Sequence, residues 1–347
     1  MPIAVARLAA ALALQNHLNG YVAWTGAEEE IAVAAEDRRL AEFARLSQSG
    51  VTGAAPAALL LYAMYRPLEA RNDAEWLVDL SFGGEAGRLM LLTVREAREL
   101  AAEAQRIETA GASDGATKLA HAAIYPWPHI AVPQPGSLMS YLRRRVSGFA
   151  PPPWSAQPCD ILFVSCGSGL EAVNMALAMP ACRVHAVDDC AHALAYGARR
   201  ALKLGVGNIE FSTTMPVEAQ FHFIDARRRD AGGTFVSLVS LLAPGGLLRL
   251  NVTAKERTEM LQVALEIGAR QAEGSLQRAR RDIAGSDDPA CDSLRQQPGF
   301  YDMGGCFGLI AEAERGGTSA GELRDALAQA DLSLVEQTAP AECGGML

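Results

Sequence analysis

The chain has 347 residues, half of them hydrophobic and a fifth charged, with a net charge of −9. That length suggests about two domains, and that composition builds packed cores rather than a disordered chain. The balance of 31 basic against 40 acidic residues argues against a general phosphate-backbone binder, so nucleic acid is disfavoured as a partner.

No apolar run reaches the ~18 residues that a membrane span needs. The apolar start, Met1–Gly20, reads as a buried helix and not as a secretion signal, because Gln15, Asn16 and His17 stand where a small-residue cleavage site belongs. The seven cysteines are odd in number and form no C-x-x-C pair, which supports neither a zinc knuckle nor a disulfide framework. Reduced thiols in a cytoplasmic protein are the expectation.

In chain order, the first part reads as a helical domain, residues 1–122. Ala4–Leu18, Glu28–Ser47, Pro56–Tyr65 and Val94–Ile107 carry apolar positions at three- and four-residue spacing, and Trp76–Phe82 has the composition of a strand. No period of 20–50 residues recurs. Residues 123–158 read as a stiff connector: eight of the seventeen prolines fall in Pro126–Pro158, interrupted by one short helix, Ser137–Val146.

From 159 to 347 strands alternate with helices. Strands are expected at Asp160–Ser165, Arg183–Val187, Asn208–Phe211, Phe221–Ile224 and Leu247–Val252, with a last one at Leu332–Glu336. Helices are expected at Leu170–Ala178, His192–Leu204 and Val236–Leu242, and Pro244-Gly245-Gly246 as a turn. Ser319-x-x-Glu322 has the form of a capping box opening a helix to Ala330. A long charged helix, Lys255–Ile283, lies in an insertion spanning about 255–317. This alternation predicts an α/β domain, a doubly wound and mostly parallel sheet.

The chemistry concentrates where the first of these strands ends, at Ile161-Leu162-Phe163-Val164-Ser165-Cys166-Gly167-Ser168-Gly169. Small residues at a strand-to-helix turn let the backbone approach a bulky ligand. Asp188 follows nineteen residues after Gly169, at the end of the second strand, with Asp189 beside it. An acid there accepts hydrogen bonds from the two hydroxyls of an adenosine ribose, or else caps the next helix. Leu170, Glu171 and Ala172 supply no third glycine, and Glu171 in the first turn would repel a pyrophosphate. That favours S-adenosylmethionine, which has no phosphates, over a nicotinamide dinucleotide.

Ser165-Cys166-Gly167-Ser168-Gly169, Val184-His185-Ala186-Val187-Asp188, Asn208-Ile209-Glu210-Phe211 and Pro244-Gly245-Gly246-Leu247 together resemble the ordered motifs of class I S-adenosylmethionine-dependent methyltransferases. Leu14–Glu30 (with Asn19-Gly20-Tyr21-Val22), Tyr65-Arg66-Pro67-Leu68, Tyr125-Pro126 and Gly299-Phe300-Tyr301-Asp302 resemble a bacterial subgroup of that family. In that subgroup the domain often follows tetratricopeptide repeats, absent here, and some members are thought to modify proteins. The resemblance implies a methyltransferase-like Rossmann domain, a cofactor held by Ser165, Cys166, Gly167, Ser168, Gly169, Asp188 and Asp189, and Met215 flanking its adenine. It places Asp225 where the acceptor would approach, to orient or deprotonate an amine, unless it is a solvated turn acid. Tyr125 and Trp127 would close over the cofactor or pack in the core, with Tyr301 a further candidate.

Departures from the family stand beside the likeness. Ser165 occupies a usual glycine position, Met215 a common acid position and His222 a usual aspartate position, and the loop Asp225–Gly233 is rewritten with Arg227-Arg228-Arg229. Those arginines either bind an acidic partner or form a solvated surface. His185, His192 and His222 lie near Cys182 and Cys190 in sequence, but their alternation along strands and a helix gives no metal site. The leading expectation is therefore a methyltransferase acting on a protein or peptide side chain. The alternative is a catalytically degenerate relative serving as a binding or regulatory subunit.

Overall fold

A computed structural model of the chain describes residues 2–18, 21, 26–47, 55–68, 71, 83–110, 136–146, 148–217, 219–227, 233–271, 276–297, 299–301, 305–306, 309–310, 312–313 and 316–335. The described residues gather into two compact units. One takes in those of Met1–Gln105 and Met260–Ala311; the other takes in those of Arg106–Lys118, Pro126–Glu259 and Glu312–Leu347.

The first unit is helical. Helices α1 (Ile3–Leu18), α2 (Ala27–Ser47) and α3 (Ala55–Ala63) share a core with Leu68 and α4 (Gly84–Met90). The small side chains Ala9, Ala10 and Ala13 of α1 let its neighbours close in around Leu40 and Leu59, both fully buried. Asn16 Nδ2 donates to the Met64 carbonyl at 2.7 Å, and the Tyr21 hydroxyl to that of Ala63 at 3.2 Å. The predicted helix Val94–Ile107 starts earlier than expected. Helix α4 runs through a π-helical turn, Leu91–Arg95, into α5 (Glu96–Ala110), and the Thr93 hydroxyl donates to the Leu89 carbonyl where the turn widens. The stretch expected as one long helix is two, α10 (Lys255–Gln271) and α11 (Leu276–Ala284). Helix α12 (Pro289–Arg295) follows, its start capped by the Asp288 side chain. The predicted strand Trp76–Phe82 lies outside the described residues. Among those residues no helix is long and apolar enough to cross a membrane.

The second unit is an α/β sandwich. Strands β1 (Asp160–Val164), β2 (Arg183–Val187), β3 (Ile209–Ser212), β4 (Phe221–Arg227) and β5 (Leu242–Asn251) form one sheet in the order β3-β2-β1-β4-β5. Every pairing is parallel. Strand order reverses between β1 and β4, and in open α/β sheets such a reversal opens a crevice beyond the strands' carboxyl ends.

Strand β1 is buried on both faces, as a central parallel strand must be. Ile161 and Phe163 join the core beneath α6 (Leu138–Arg145) and α7 (Leu170–Ala178), while Leu162 joins the opposite core with Ile224 and Leu238. Leu238 belongs to α9 (Gly233–Ser240), and α8 (Ala191–Lys203) carries the chain from β2 to β3. Asn208 Nδ2 reaches the carbonyls of Ala176, Met179 and Cys182 at 3.2, 3.1 and 2.9 Å, fixing the end of α7 against the start of β2.

Two strands run longer than predicted. Strand β4 continues to Arg227, and β5 starts at Leu242, so the Pro244-Gly245-Gly246 turn is an irregularity within β5. There the register shifts between Phe221 and Phe223, and Gly245 takes a φ of 68°. The capping box forms in full at Ser319, opening α13 (Ala320–Gln329). The expected last strand does not form within Leu332–Val335, which is irregular. Leu334 and Val335 are 62% and 49% exposed and pair with no strand among the described residues, and an apolar run becomes a strand only where it joins a ladder.

Candidate functional site

The end of β1 turns sharply. Ser165, Gly167 and Gly169 all have left-handed φ values, 54°, 59° and 76°, before α7 begins at Leu170. The Cys166 amide donates to the Val187 carbonyl at 3.1 Å, continuing the β1–β2 ladder into the bend, and the Gly169 amide donates to the Cys166 carbonyl at 3.1 Å. A left-handed backbone costs a non-glycine residue roughly 1–2 kcal/mol, which Ser165 sustains within this hydrogen-bonded frame.

The two glycines serve different ends. Among the described residues other than its chain neighbours, no atom lies within 4 Å of the place a Gly167 Cβ would occupy, so that side of the bend is open. A Cβ on Gly169 would instead sit 2.9 Å from the Phe211 ring, and one on Gly197 would lie 2.6 Å from the Ser168 carbonyl and 2.8 Å from the same ring. Gly169 and Gly197 therefore make room for Phe211 of β3, a packing role the sequence reading did not assign.

Asp188, at the tip of β2, is buried, and both its carboxylate oxygens face backbone amides. Oδ2 accepts from Gly167 N at 2.7 Å and Oδ1 from Cys190 N at 3.0 Å. The acid thus ties the bend to β2 and caps the start of α8 at once. Burial raises its pKa above the ordinary carboxylate value; the amides of Cys190 and Gly167 pull the other way, and neighbouring Asp189 pushes it further up. Burial also pushes up the thiols of Cys166 and Cys190. Beyond β3, Met215 is half-buried and packs against the core of Leu162, Phe221 and Ile224.

On the other side of the reversal, Asp225 lies inside β4 and not in a loop, with its side chain 1% exposed. It is therefore not a solvated turn acid. Register pairs it with Phe163 of β1 and Arg249 of β5, and Arg249 forms an ion pair with it. Arg249 also donates to the Tyr141 hydroxyl at 2.7 Å and to Glu171 at 3.2 Å, while Arg227 meets Glu171 at 3.2 Å. Burial raises the pKa of Asp225 against the pull of Arg249, and burial raises that of Tyr141. The cluster surrounds a crevice of about 10 Å³, room for a single water, lined by Phe163, Val164, Cys166, Glu171, Asp225 and Arg227.

The sequence reading missed Arg249, Tyr141 and Asn251, whose Nδ2 is 3.4 Å from Asp225. A signal existed: Arg249 stands alone in the apolar run Leu247-Leu248-Arg249-Leu250, and a cation inside a strand needs a buried partner. Of the arginine triplet, Arg227 is ion-paired and Arg228 and Arg229 lie outside the described residues. Tyr125, Trp127 and Asp302 lie outside them too.

His222 accepts from the Asp160 amide at 3.2 Å, at the amino-terminal end of the sheet, away from the bend. His185 meets Glu210 at 3.5 Å, and Tyr301 packs edge-on against Phe300. Among the described residues no group of three or more His, Cys, Asp or Glu is placed to hold a metal ion.

Comparison with known proteins returns no matching protein family and no matching curated protein. Among solved structures, the chain is similar to PKMT2 from Rickettsia typhi in complex with AdoHcy. The identity is 20%, over 49% of this chain and 36% of that one, with a TM-score of 0.35. The chain thus spans about a third of that protein's length. It is similar to precorrin-6y C5,15-methyltransferase from Geobacter metallireducens at 15% identity, covering 31% of this chain and 63% of that one, with a TM-score of 0.25. The YcgJ protein from Bacillus subtilis shares 14% identity over 54% of this chain and 86% of its own, with a TM-score of 0.30.

Proposed function

We propose that the parallel-sheet unit binds S-adenosylmethionine at the β1 bend and that the chain transfers its methyl group to a protein or peptide side chain. The observation that carries this reading is the clasp of Asp188 on Gly167 beside an open face of the bend. A carboxylate offers about four acceptor positions; two take backbone amides and the Asp189 side chain bonds to it as well, which leaves room for at least one ribose hydroxyl. Asp188 would hold the sugar, the open side of Gly167 would admit the nucleoside, and Met215 would supply an apolar flank to the base. Glu171, in the first turn of α7, suits a ligand without phosphates.

When bound, S-adenosylmethionine supplies an electrophilic methyl group; what remains for the protein is to position the acceptor. The water-sized crevice then needs enlarging on one side. Arg227 and Glu171 are 53% and 45% exposed, and an exposed ion pair is worth about 0–1 kcal/mol, so separating them costs little. The Asp225–Arg249 pair is far more buried and stays in place. Asp225 therefore acts as the anchor that holds Arg249 against Tyr141 and Glu171, and a free base for the acceptor is not required of it.

A second reading is favoured by one observation: that same cluster leaves only water-sized room in the crevice between β1 and β4. On this reading the domain keeps the nucleoside site but serves as a binding or regulatory subunit. The two separate on incubation with methyl-labelled S-adenosylmethionine and a pool of cellular proteins. Label appearing in protein supports the enzyme; saturable binding without transfer supports the subunit; neither binding nor transfer overturns both.

A further inference from the structure

At the opposite end of the sheet, Cys159 and Cys182 precede β1 and β2. Asp160 faces Arg183 across the two strands, so the cysteines one step earlier are the next pair in register. The Arg183 amide donates to the Cys159 carbonyl at 3.1 Å and carries the ladder to them. Adjacent strands lie about 4.8 Å apart, within the roughly 4.4–6.8 Å between Cα atoms that a disulfide spans.

The two sulfur atoms are 3.5 Å apart, both thiols free and both residues buried. Asn208 holds the Cys182 carbonyl, fixing that side. The pair lies one residue from the Asp160–Arg183 ion pair, whose arginine is 77% exposed. The hydrogen bond between the two thiols draws the Cys182 pKa down and raises that of Cys159, which makes Cys182 the readier nucleophile.

We propose that Cys159 and Cys182 form a site of reversible oxidation, at which a hydroperoxide such as hydrogen peroxide joins the starts of β1 and β2 by a disulfide. The Cys182 thiolate attacks a peroxide oxygen, the O–O bond breaks, and hydroxide leaves to be protonated as the first water. Cys159, giving up its proton, attacks the sulfur of the resulting sulfenic acid; the S–O bond breaks and a second water leaves. Two thiols lose two electrons and two protons, and one peroxide becomes two waters.

The test treats the reduced full-length chain with hydrogen peroxide, then digests it at low pH without reductant for mass spectrometry. The peptide holding Cys159 is expected linked to that holding Cys182, with two of the seven thiols lost, a higher melting temperature, and full reversal by dithiothreitol. Cys182→Ser abolishes the link. The proposal is overturned if both cysteines stay reduced while the peroxide is consumed, if each carries separate oxygens, or if they pair with other cysteines. Should the variant fail to fold, the peptide map of the unaltered chain decides alone.

Discussion

Asp188 and Gly167, 21 residues apart in the chain, meet at 2.7 Å through a carboxylate oxygen and a backbone amide. That contact, with its twin to Cys190, fixes the open side of the β1 bend at Gly167 relative to the tip of β2. It also places a charge where burial disfavours it.

The cost of that burial has a pH signature. The folded-state pKa of Asp188 is raised, so between the unfolded value near 3.8 and the folded value the native state binds more protons than the unfolded one. The acid's contribution to stability is therefore fullest below the unfolded pKa and is lost as pH rises through the folded one. Urea unfolding of the native chain and of Asp188→Asn from pH 4 upward should show the native chain losing stability relative to the variant. A relative gain with rising pH would show that the two amide bonds outweigh desolvation.

Arg249 is the sole guanidinium paired with the buried carboxylate of Asp225 among the described residues. Arg249→Met leaves that carboxylate without its cation and should cost about 3 kcal/mol in chemical denaturation. Combining it with Asp225→Leu should recover much of the loss, because an apolar pair of similar volume removes the stranded charge. Additive losses would mean the two side chains stabilise the sheet independently.

Gly169→Ala and Gly197→Ala should each destabilise the sheet unit by about 1–3 kcal/mol through overpacking. Their rescue should differ. Phe211→Leu relieves the 2.9 Å approach at Gly169, leaving the strain of its positive φ, but leaves untouched the 2.6 Å approach of a Gly197 Cβ to the Ser168 carbonyl. Melting temperatures of the double variants check this; equal rescue would contradict the assignment.

The parallel sheet was legible in the sequence because each strand is a compact apolar run closed by a turn, and Ser165–Gly169 and Asp188 follow from where β1 and β2 end. Element ends were less legible. Arg227 and the Leu242–Gly246 segment carry no apolar pattern, and only pairing with a neighbour makes them strand. Leu332–Val335 shows the converse, an apolar run that joins no ladder among the described residues. The ion cluster was hidden for a different reason: Asp225, Arg249, Glu171 and Tyr141 come from four elements and meet only through sheet register and helix packing.

The nucleoside site is tested most directly by calorimetric titration of S-adenosylmethionine into the native chain and into Gly167→Ala, with folding of both verified by circular dichroism. Apart from the strain of its φ of 59°, the added Cβ meets no atom of the described residues beyond its chain neighbours within 4 Å and projects into the space assigned to the ligand. The expected result is single-site, saturable heat for the native chain and an affinity at least about tenfold weaker for the variant, a loss of roughly 1.4 kcal/mol. Absence of heat from the native chain at millimolar ligand, or equal affinity in both proteins, would contradict it.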